Sequence, residues 1–153
     1  MTKENNMSEK NFTLEERDAM KAKLAESKTK KSRAKKSPEE ARAEGAAEIR
    51  AKLADMPDED RMLGEKLSAM VTENAPHLMP KTYYGMPAWA NEAGKVVCFF
   101  KPKSKFKVRY ATFEFDTAAQ LDDGNVWPTA YAVTALTDAD LTFLAERVRQ
   151  AAR

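Results

Sequence analysis

Cysteine and histidine are almost missing from this chain of 153 residues, which contains one of each. The single cysteine, Cys98, excludes an internal disulfide and any CxxC metal or redox motif. It stands between Val97 and Phe99, where a buried inert thiol is favoured over a reactive one. His77 has no second histidine with which to form a metal site. P-loop, GxGxxG, HExxH and GxSxG motifs are also missing. We therefore assign no catalytic residue, no metal ligand and no known cofactor.

Long hydrophobic runs are missing as well. No apolar segment approaches the roughly 20 residues that cross a bilayer, so we expect no membrane partner. The first residues, MTKENNMSEKNF, include lysines but no apolar core of a secretory signal, which predicts a cytoplasmic protein. A composition of 42% hydrophobic and 33% charged residues suits a soluble globular domain with a solvated appendage.

The small net charge of +2 hides a basic N-terminal region. Residues 1–40 contain 11 basic and 8 acidic side chains, whereas residues 41–153 contain 15 and 16. Residues 12–26 have a helix signal, with Thr13 as N-cap, but little apolar surface. We therefore expect residues 1–36 to be a disordered or weakly helical basic tail. Lysine-rich tails bind phosphate backbones without sequence preference, so nucleic acid is a possible nonspecific partner through residues 21–36.

Residues 37–153 are predicted to form the folded domain. Capping signals and apolar periodicity predict helices over residues 37–55 and 58–75 and a last helix that begins after Thr137. Between them, alternating apolar residues and turn signals predict three or four strands. One strand should cover residues 105–115, with a bulge near Ala111, and the last should lie at an edge because it contains Pro128. The expected fold class is α+β: a small antiparallel sheet with helices packed on one face.

Two segments support a resemblance to a known family: YYGMPAW at 83–89 and LDDGNVWPTA at 121–130. Together with KFKVRYATFEF at 105–115 and the closing helix, they resemble the YdhG-like family, a domain of unknown function (number 1801) found in small bacterial proteins. The basic N-terminal extension is similar to that of one branch of this family. The resemblance covers about residues 63–151 and implies a compact α+β domain. One relative is described as a frataxin-like iron chaperone, but this sequence offers no motif onto which iron ligands can be transferred.

The aromatic residues near the Gly-Met-Pro bend predict a ligand pocket. Tyrosine and tryptophan need hydrogen-bond partners when buried, so they favour half-open pockets, and an arginine can stack on their rings. A plain hairpin core is the alternative interpretation. The predicted ligand-binding residues are Tyr84, Met86, Trp89, Lys105, Arg109 and Trp127.

Three clusters of charge have both a functional and an ordinary interpretation. Two of these clusters are acidic and could hold a hard cation, but helix capping and turn formation also explain them. They are Asp55, Asp58, Glu59 and Asp60, and Glu114, Asp116, Asp122 and Asp123. On a strand, Lys105, Lys107 and Arg109 would form a cationic stripe that binds an anion or simply faces solvent. The leading hypothesis is a non-enzymatic binding domain for a small anionic or metal-associated ligand, of which an iron chaperone is a special case.

Overall fold

The computed structural model describes residues 12–33 and 36–153, without the side chains of residues 32 and 33. The first eleven residues of the expected tail, and residues 34 and 35 of its basic stretch, lie outside the described residues. The described part contains five helices: α1 (Leu14–Arg33), α2 (Pro38–Ala54), α3 (Asp58–Asn74), α4 (Lys103–Phe106) and α5 (Asp138–Ala151). It contains five strands: β1 (Met79–Tyr83), β2 (Met86–Ala90), β3 (Val96–Lys101), β4 (Ala111–Phe115) and β5 (Ala130–Val133).

The strands form one antiparallel sheet in which each strand pairs with its neighbour in sequence, in the order β1-β2-β3-β4-β5. Helices pack against this sheet, and the α+β prediction is confirmed. The sheet has five strands instead of the three or four expected, because the segment around the Gly-Met-Pro bend forms a complete hairpin, β1 and β2. The last strand lies at an edge as predicted, but it begins at Ala130 and does not contain Pro128.

The core lies where α2, α3 and α5 cover the sheet. Trp89, Cys98 and Phe115 are paired in register across β2, β3 and β4, and all three are buried. Phe100 and Phe113 form the next pair and are fully buried. Burial raises the pKa of the Cys98 thiol, because an apolar environment disfavours the thiolate, and an inert thiol is expected there.

Two of the predicted helix starts have the expected caps. The Ser37 hydroxyl accepts a hydrogen bond from the Glu40 N–H at 3.2 Å, and Pro38 occupies the first turn of α2. Thr137 and Asp140 form a reciprocal capping box at the start of α5. These side chains satisfy N–H groups that have no partner within the helix.

The predicted strand over residues 105–115 is wrong in its first half. Residues 103–106 form the short helix α4, and Lys107 ends it with a left-handed backbone (φ 51°). The strand begins only at Ala111, so the change of apolar phase marks a boundary between two elements instead of a bulge. The basic residues of this segment therefore do not share one strand face.

The described part of the expected tail is a helix of 20 residues that contacts the domain. The Thr13 hydroxyl caps it by accepting from the Glu16 N–H at 3.1 Å. Ala19 is buried, and an ion pair of 2.5 Å joins Glu15 to Lys107. Apolar periodicity did not reveal this packing because α1 contacts the domain mainly through alanine and charged side chains.

Candidate functional site

The turn between β1 and β2 has an unusual backbone. Tyr83 pairs with Met86, which leaves Tyr84 and Gly85 as a two-residue turn. Both have positive φ, 50° and 77°, as a type I′ hairpin turn requires. Glycine adopts this conformation readily, whereas it is uncommon and strained for tyrosine. Such strained positions concentrate at binding and catalytic sites.

The two N–H groups of this turn hold a carboxylate. Glu26 of α1 accepts a hydrogen bond from the Tyr84 N–H at 3.0 Å through Oε2 and from the Gly85 N–H at 2.8 Å through Oε1. Both oxygens of one carboxylate are thus bound by adjacent backbone donors. Consecutive N–H groups that converge in this way form an anion-binding concavity. The hairpin turn therefore binds an anionic side chain of the same protein.

Lysine side chains add positive charge next to the turn. Lys105 of α4 is half-buried, and its Nζ donates a hydrogen bond to the Tyr84 carbonyl at 3.0 Å. Burial lowers the pKa of Lys105, and the positive charge of Lys52 lowers it further, while Glu26 and Asp18 act in the opposite direction. Because its charge is only partly offset, Lys105 favours an anion at this place.

A groove of about 880 Å³ lies between α1, α2 and the β1–β2 hairpin. Glu26 and Lys52 line it, so the anion-binding turn is near one part of its wall. Both helices contribute alanines to its wall: Ala22 and Ala25 on α1, and Ala41 and Ala51 on α2. A volume of this size lies within the roughly 300–1,000 Å³ of small-molecule sites.

The walls of the groove combine apolar surface with charged groups. Its cationic side chains are Lys30, Arg42, Lys52 and Lys81, and its acidic ones are Glu26, Glu48 and Glu92. Arg42 donates hydrogen bonds to the carbonyls of Pro76 and Leu78 at 2.9 and 3.0 Å. His77 also lines the groove, with its Nε2 2.8 Å from the Ala152 carbonyl.

A smaller polar cleft of about 330 Å³ adjoins the groove, and α1 forms a wall of both spaces. Four lysines line it: Lys23, Lys30, Lys81 and Lys95. The pKa of Tyr83 in this cleft is raised by burial first and then by the nearby carboxylate of Asp116. The Lys23 Nζ lies 4.8 Å from the centroid of the Tyr83 ring, a distance that allows a cation–π interaction.

The structure brings together two of the six predicted ligand-binding residues, Tyr84 and Lys105, through the hydrogen bond at the turn. Met86 and Trp89 follow in β2, but both side chains are buried. The Trp89 side chain lines a third, mainly apolar groove, of about 460 Å³, between α2 and α3. The buried positions of Met86 and Trp89 agree with the alternative interpretation of this segment, a plain hairpin core.

Arg109 and Trp127 have other surroundings. Arg109 is exposed, with its guanidinium 4.9 Å from the centroid of the Tyr110 ring. Trp127 precedes β5, at the opposite edge of the sheet from β1 and four strand spacings of about 4.8 Å away. It also lies at the opposite end of the strands, since Thr129 pairs with Phe115 at the end of β4. The structure therefore does not bring Tyr84 and Trp127 together, although the sequence-based prediction grouped them in one pocket.

Several residues of the charge clusters noted in the sequence form structural hydrogen bonds or ion pairs within the fold. Asp60 is fully buried and accepts hydrogen bonds from the N–H groups of Lys103 and Ser104 at 3.2 and 3.1 Å, which caps α4. Lys103 forms an ion pair with Glu59 at 2.7 Å. Over residues 12–33 and 36–153, no three histidine, cysteine or acidic side chains are placed to hold a metal ion. In the same residues, no helix is long and apolar enough to span a bilayer.

Glu26 is the site residue that sequence reasoning missed. It belongs to a segment that looked like solvated tail, and nothing in the local pattern linked it to a turn almost 60 residues away. The signal that was available is the Tyr-Gly pair itself. A turn that needs positive φ at two positions leaves two N–H groups side by side, and these need an acceptor.

Comparison of the sequence with known protein-family models finds no match, and comparisons with curated proteins and with solved structures find none either. The resemblance to the YdhG-like family therefore stays a prediction.

Proposed function

We propose that this protein is a non-enzymatic binding domain for a small organic anion, which lies in the groove between α1, α2 and the β1–β2 hairpin. One observation supports this most strongly: two backbone N–H groups bind an anionic group, with the Lys105 ammonium beside them, next to a groove of about 880 Å³. A metal-associated ligand is not supported, since the described residues supply no ligand cluster.

The walls of the groove indicate what kind of anion it suits. Alanines and the Met79 and Pro80 side chains provide apolar contact, while Lys52 and Lys30 provide charge. Burial of apolar surface supplies most of the free energy for such ligands, and a few polar groups set their orientation. We therefore propose an anion with an apolar body and a single charged head group, and the YdhG-like resemblance adds no narrower substrate.

The proposal can be tested with 8-anilino-1-naphthalenesulfonate, which combines an aromatic body with one sulfonate. Its fluorescence should rise on addition of the folded protein. Ala25→Phe places a ring in the groove and should weaken binding by about tenfold or more, which corresponds to about 1.4 kcal/mol. Leu24→Phe is the matched control, because Leu24 directly precedes Ala25 in α1 and its side chain is 69% exposed.

A second control concerns the apolar groove between α2 and α3. Ala69 lines that groove, so Ala69→Phe fills it and should leave dye binding unchanged. The proposal fails if Ala25→Phe binds the dye as wild type does, or if Ala69→Phe rather than Ala25→Phe removes binding. Circular dichroism spectra of all variants should match that of wild type, which excludes dye binding to unfolded chain.

Nucleic-acid binding through the basic N-terminal segment is the second candidate function. The observation that favours it is that Lys21, Lys28 and Lys31 are exposed on α1. Charge reversal of all three to glutamate should then abolish retention of duplex DNA at low salt. Wild-type retention should fall steeply with salt, since phosphate neutralisation releases counterions. If the reversed variant is retained as well as wild type, the nucleic-acid candidate is excluded.

A further inference from the structure

From the contacts of Glu26 we infer that the Tyr84–Gly85 turn, with Lys105, is a carboxylate-binding site that Glu26 occupies as an internal competitor of the ligand. The inference rests on the proposed function and names the head group of its ligand as a carboxylate. Ligand binding then requires Glu26 to leave the turn.

The geometry of the turn selects a carboxylate. The N–H groups of Tyr84 and Gly85 bind different oxygens of Glu26, at 3.0 and 2.8 Å, so the two donors match the two oxygens of one planar group. Hydrogen bonds to a charged acceptor are roughly twice as strong as neutral ones. The Nζ of Lys105 lies beside Gly85 and is fixed by the Tyr84 carbonyl at 3.0 Å. Any carboxylate that replaces Glu26 therefore meets the same donors and the same cation.

The packing of α1 is weak enough to allow this exchange. Its large apolar residues are exposed: Leu14 is 70% and Leu24 69% accessible. In the described part of α1, Ala19 is the one apolar side chain that is buried. The Glu15–Lys107 ion pair includes a mostly exposed lysine, and exposed pairs contribute little to stability. Glu26 is thus a principal contact of α1, and its displacement costs little buried apolar surface.

An internal competitor lowers the apparent affinity of the external ligand. The apparent dissociation constant equals the intrinsic one divided by the fraction of molecules in which the turn is free. A tethered carboxylate has an effective concentration of the order of millimolar or more, so it competes with free ligand present at lower concentration. Removal of the Glu26 charge should therefore raise affinity without any new contact.

The test is a titration of the full chain with butyrate, followed by the amide NMR resonances of Tyr84 and Gly85. In Glu26→Gln these resonances should move at butyrate concentrations about tenfold lower than in wild type, because a neutral side-chain amide competes for the turn less strongly than a carboxylate does. Glu16→Gln is the matched control, since it removes the same charge from an exposed residue of the same helix, and it should titrate as wild type. The neutral analogue 1-butanol should move neither resonance.

Equal butyrate concentrations for Glu26→Gln and wild type, or no movement of the two amides in Glu26→Gln, would overturn the inference. The double variant Glu26→Gln with Lys105→Met should need about tenfold more butyrate than Glu26→Gln alone, because the cation beside the turn is lost. If it does not, Lys105 is not part of the site. The dye experiment with Ala25→Phe reports on the groove separately, so failure of either proposal is recognised without the other.

Discussion

Gly45 of α2 lies directly against the backbone carbonyl of Pro80 in β1, so close that a Cβ on Gly45 would overlap the carbonyl oxygen. This contact sets the distance between α2 and the first strand. It also sets the width of the groove, because α2 and β1 both line it. A glycine inside a helix usually lowers stability, and here the close approach to β1 requires it.

We expect Gly45→Ala to destabilise the protein by about 1–3 kcal/mol, the usual range for overpacking. Helix propensity alone would give the opposite sign, a gain of about 1 kcal/mol. The exposed Ala47→Gly serves as control and should lose about 1 kcal/mol through propensity alone. Urea unfolding measures both variants. A Gly45→Ala variant more stable than wild type would show that α2 does not approach β1 as described.

The capping box of α5 should make stability depend on acid pH. Hydrogen bonds from the Thr137 backbone and then its side chain lower the pKa of Asp140 below its usual 3.8. Because the pKa is lowered in the folded protein, the unfolded state binds a proton at a higher pH than the folded state does. The stabilisation that comes from the ionised Asp140 side chain is therefore complete above pH 3.8 and is lost as the pH falls through the folded pKa. Asp140→Asn should therefore be less stable than wild type at pH 7, and the difference should disappear in strong acid. An equal difference at both pH values would contradict the assignment.

Lys105 should act in the same direction as Asp140, but at alkaline pH. Its pKa in the folded protein is lowered, mainly by burial, from the usual 10.5. Between these two values the unfolded state binds more protons, so stability contributed by this residue rises with pH. The difference in unfolding free energy between wild type and Lys105→Met should thus shift in favour of wild type as pH increases toward 10.5. Parallel pH profiles would show that Lys105 is solvated.

Arg109→Met separates the sequence-based pocket from the groove found here. Arg109 is exposed, and its guanidinium lies over the Tyr110 ring. We expect the variant to keep dye and butyrate binding, and its stability to change by no more than about 0.5 kcal/mol, as is usual for surface substitutions. The measurements are the dye titration and urea unfolding. Loss of anion binding in Arg109→Met would support the earlier grouping of this residue with Tyr84.

Much of the fold could be predicted from local signals. The caps at Ser37 and Thr137 and the apolar stripe of α3 depend on residues a few positions apart, and the structure shows them where expected. The strand boundary at Ala111 could not be read in this way. Phe106 and Val108 continue an alternating pattern that also occurs by chance in a helical turn followed by a loop.

The site was harder to predict because its parts are distant in sequence. Tyr84 and Lys105 were found through composition and charge. Tyr84 is part of the turn, and Lys105 donates a hydrogen bond to its carbonyl. Trp127 was included because, like Trp89, it is a tryptophan beside a proline-containing bend, but strand order places it at the other edge of the sheet. Glu26 was overlooked because α1 contacts the domain by polar bonds, and such contacts leave no apolar period in the sequence.

The pairing of every strand with its sequence neighbour has a consequence for how the chain folds. Such a meander forms by successive hairpins, each of which closes a short loop, and it contains no parallel crossover. Proteins with mostly local contacts fold faster than those with distant pairings. Helix α1 lies outside the sheet and buries little apolar surface. Its amides should therefore exchange with solvent by local opening, and the free energy of this opening should be lower than that for the amides of β3.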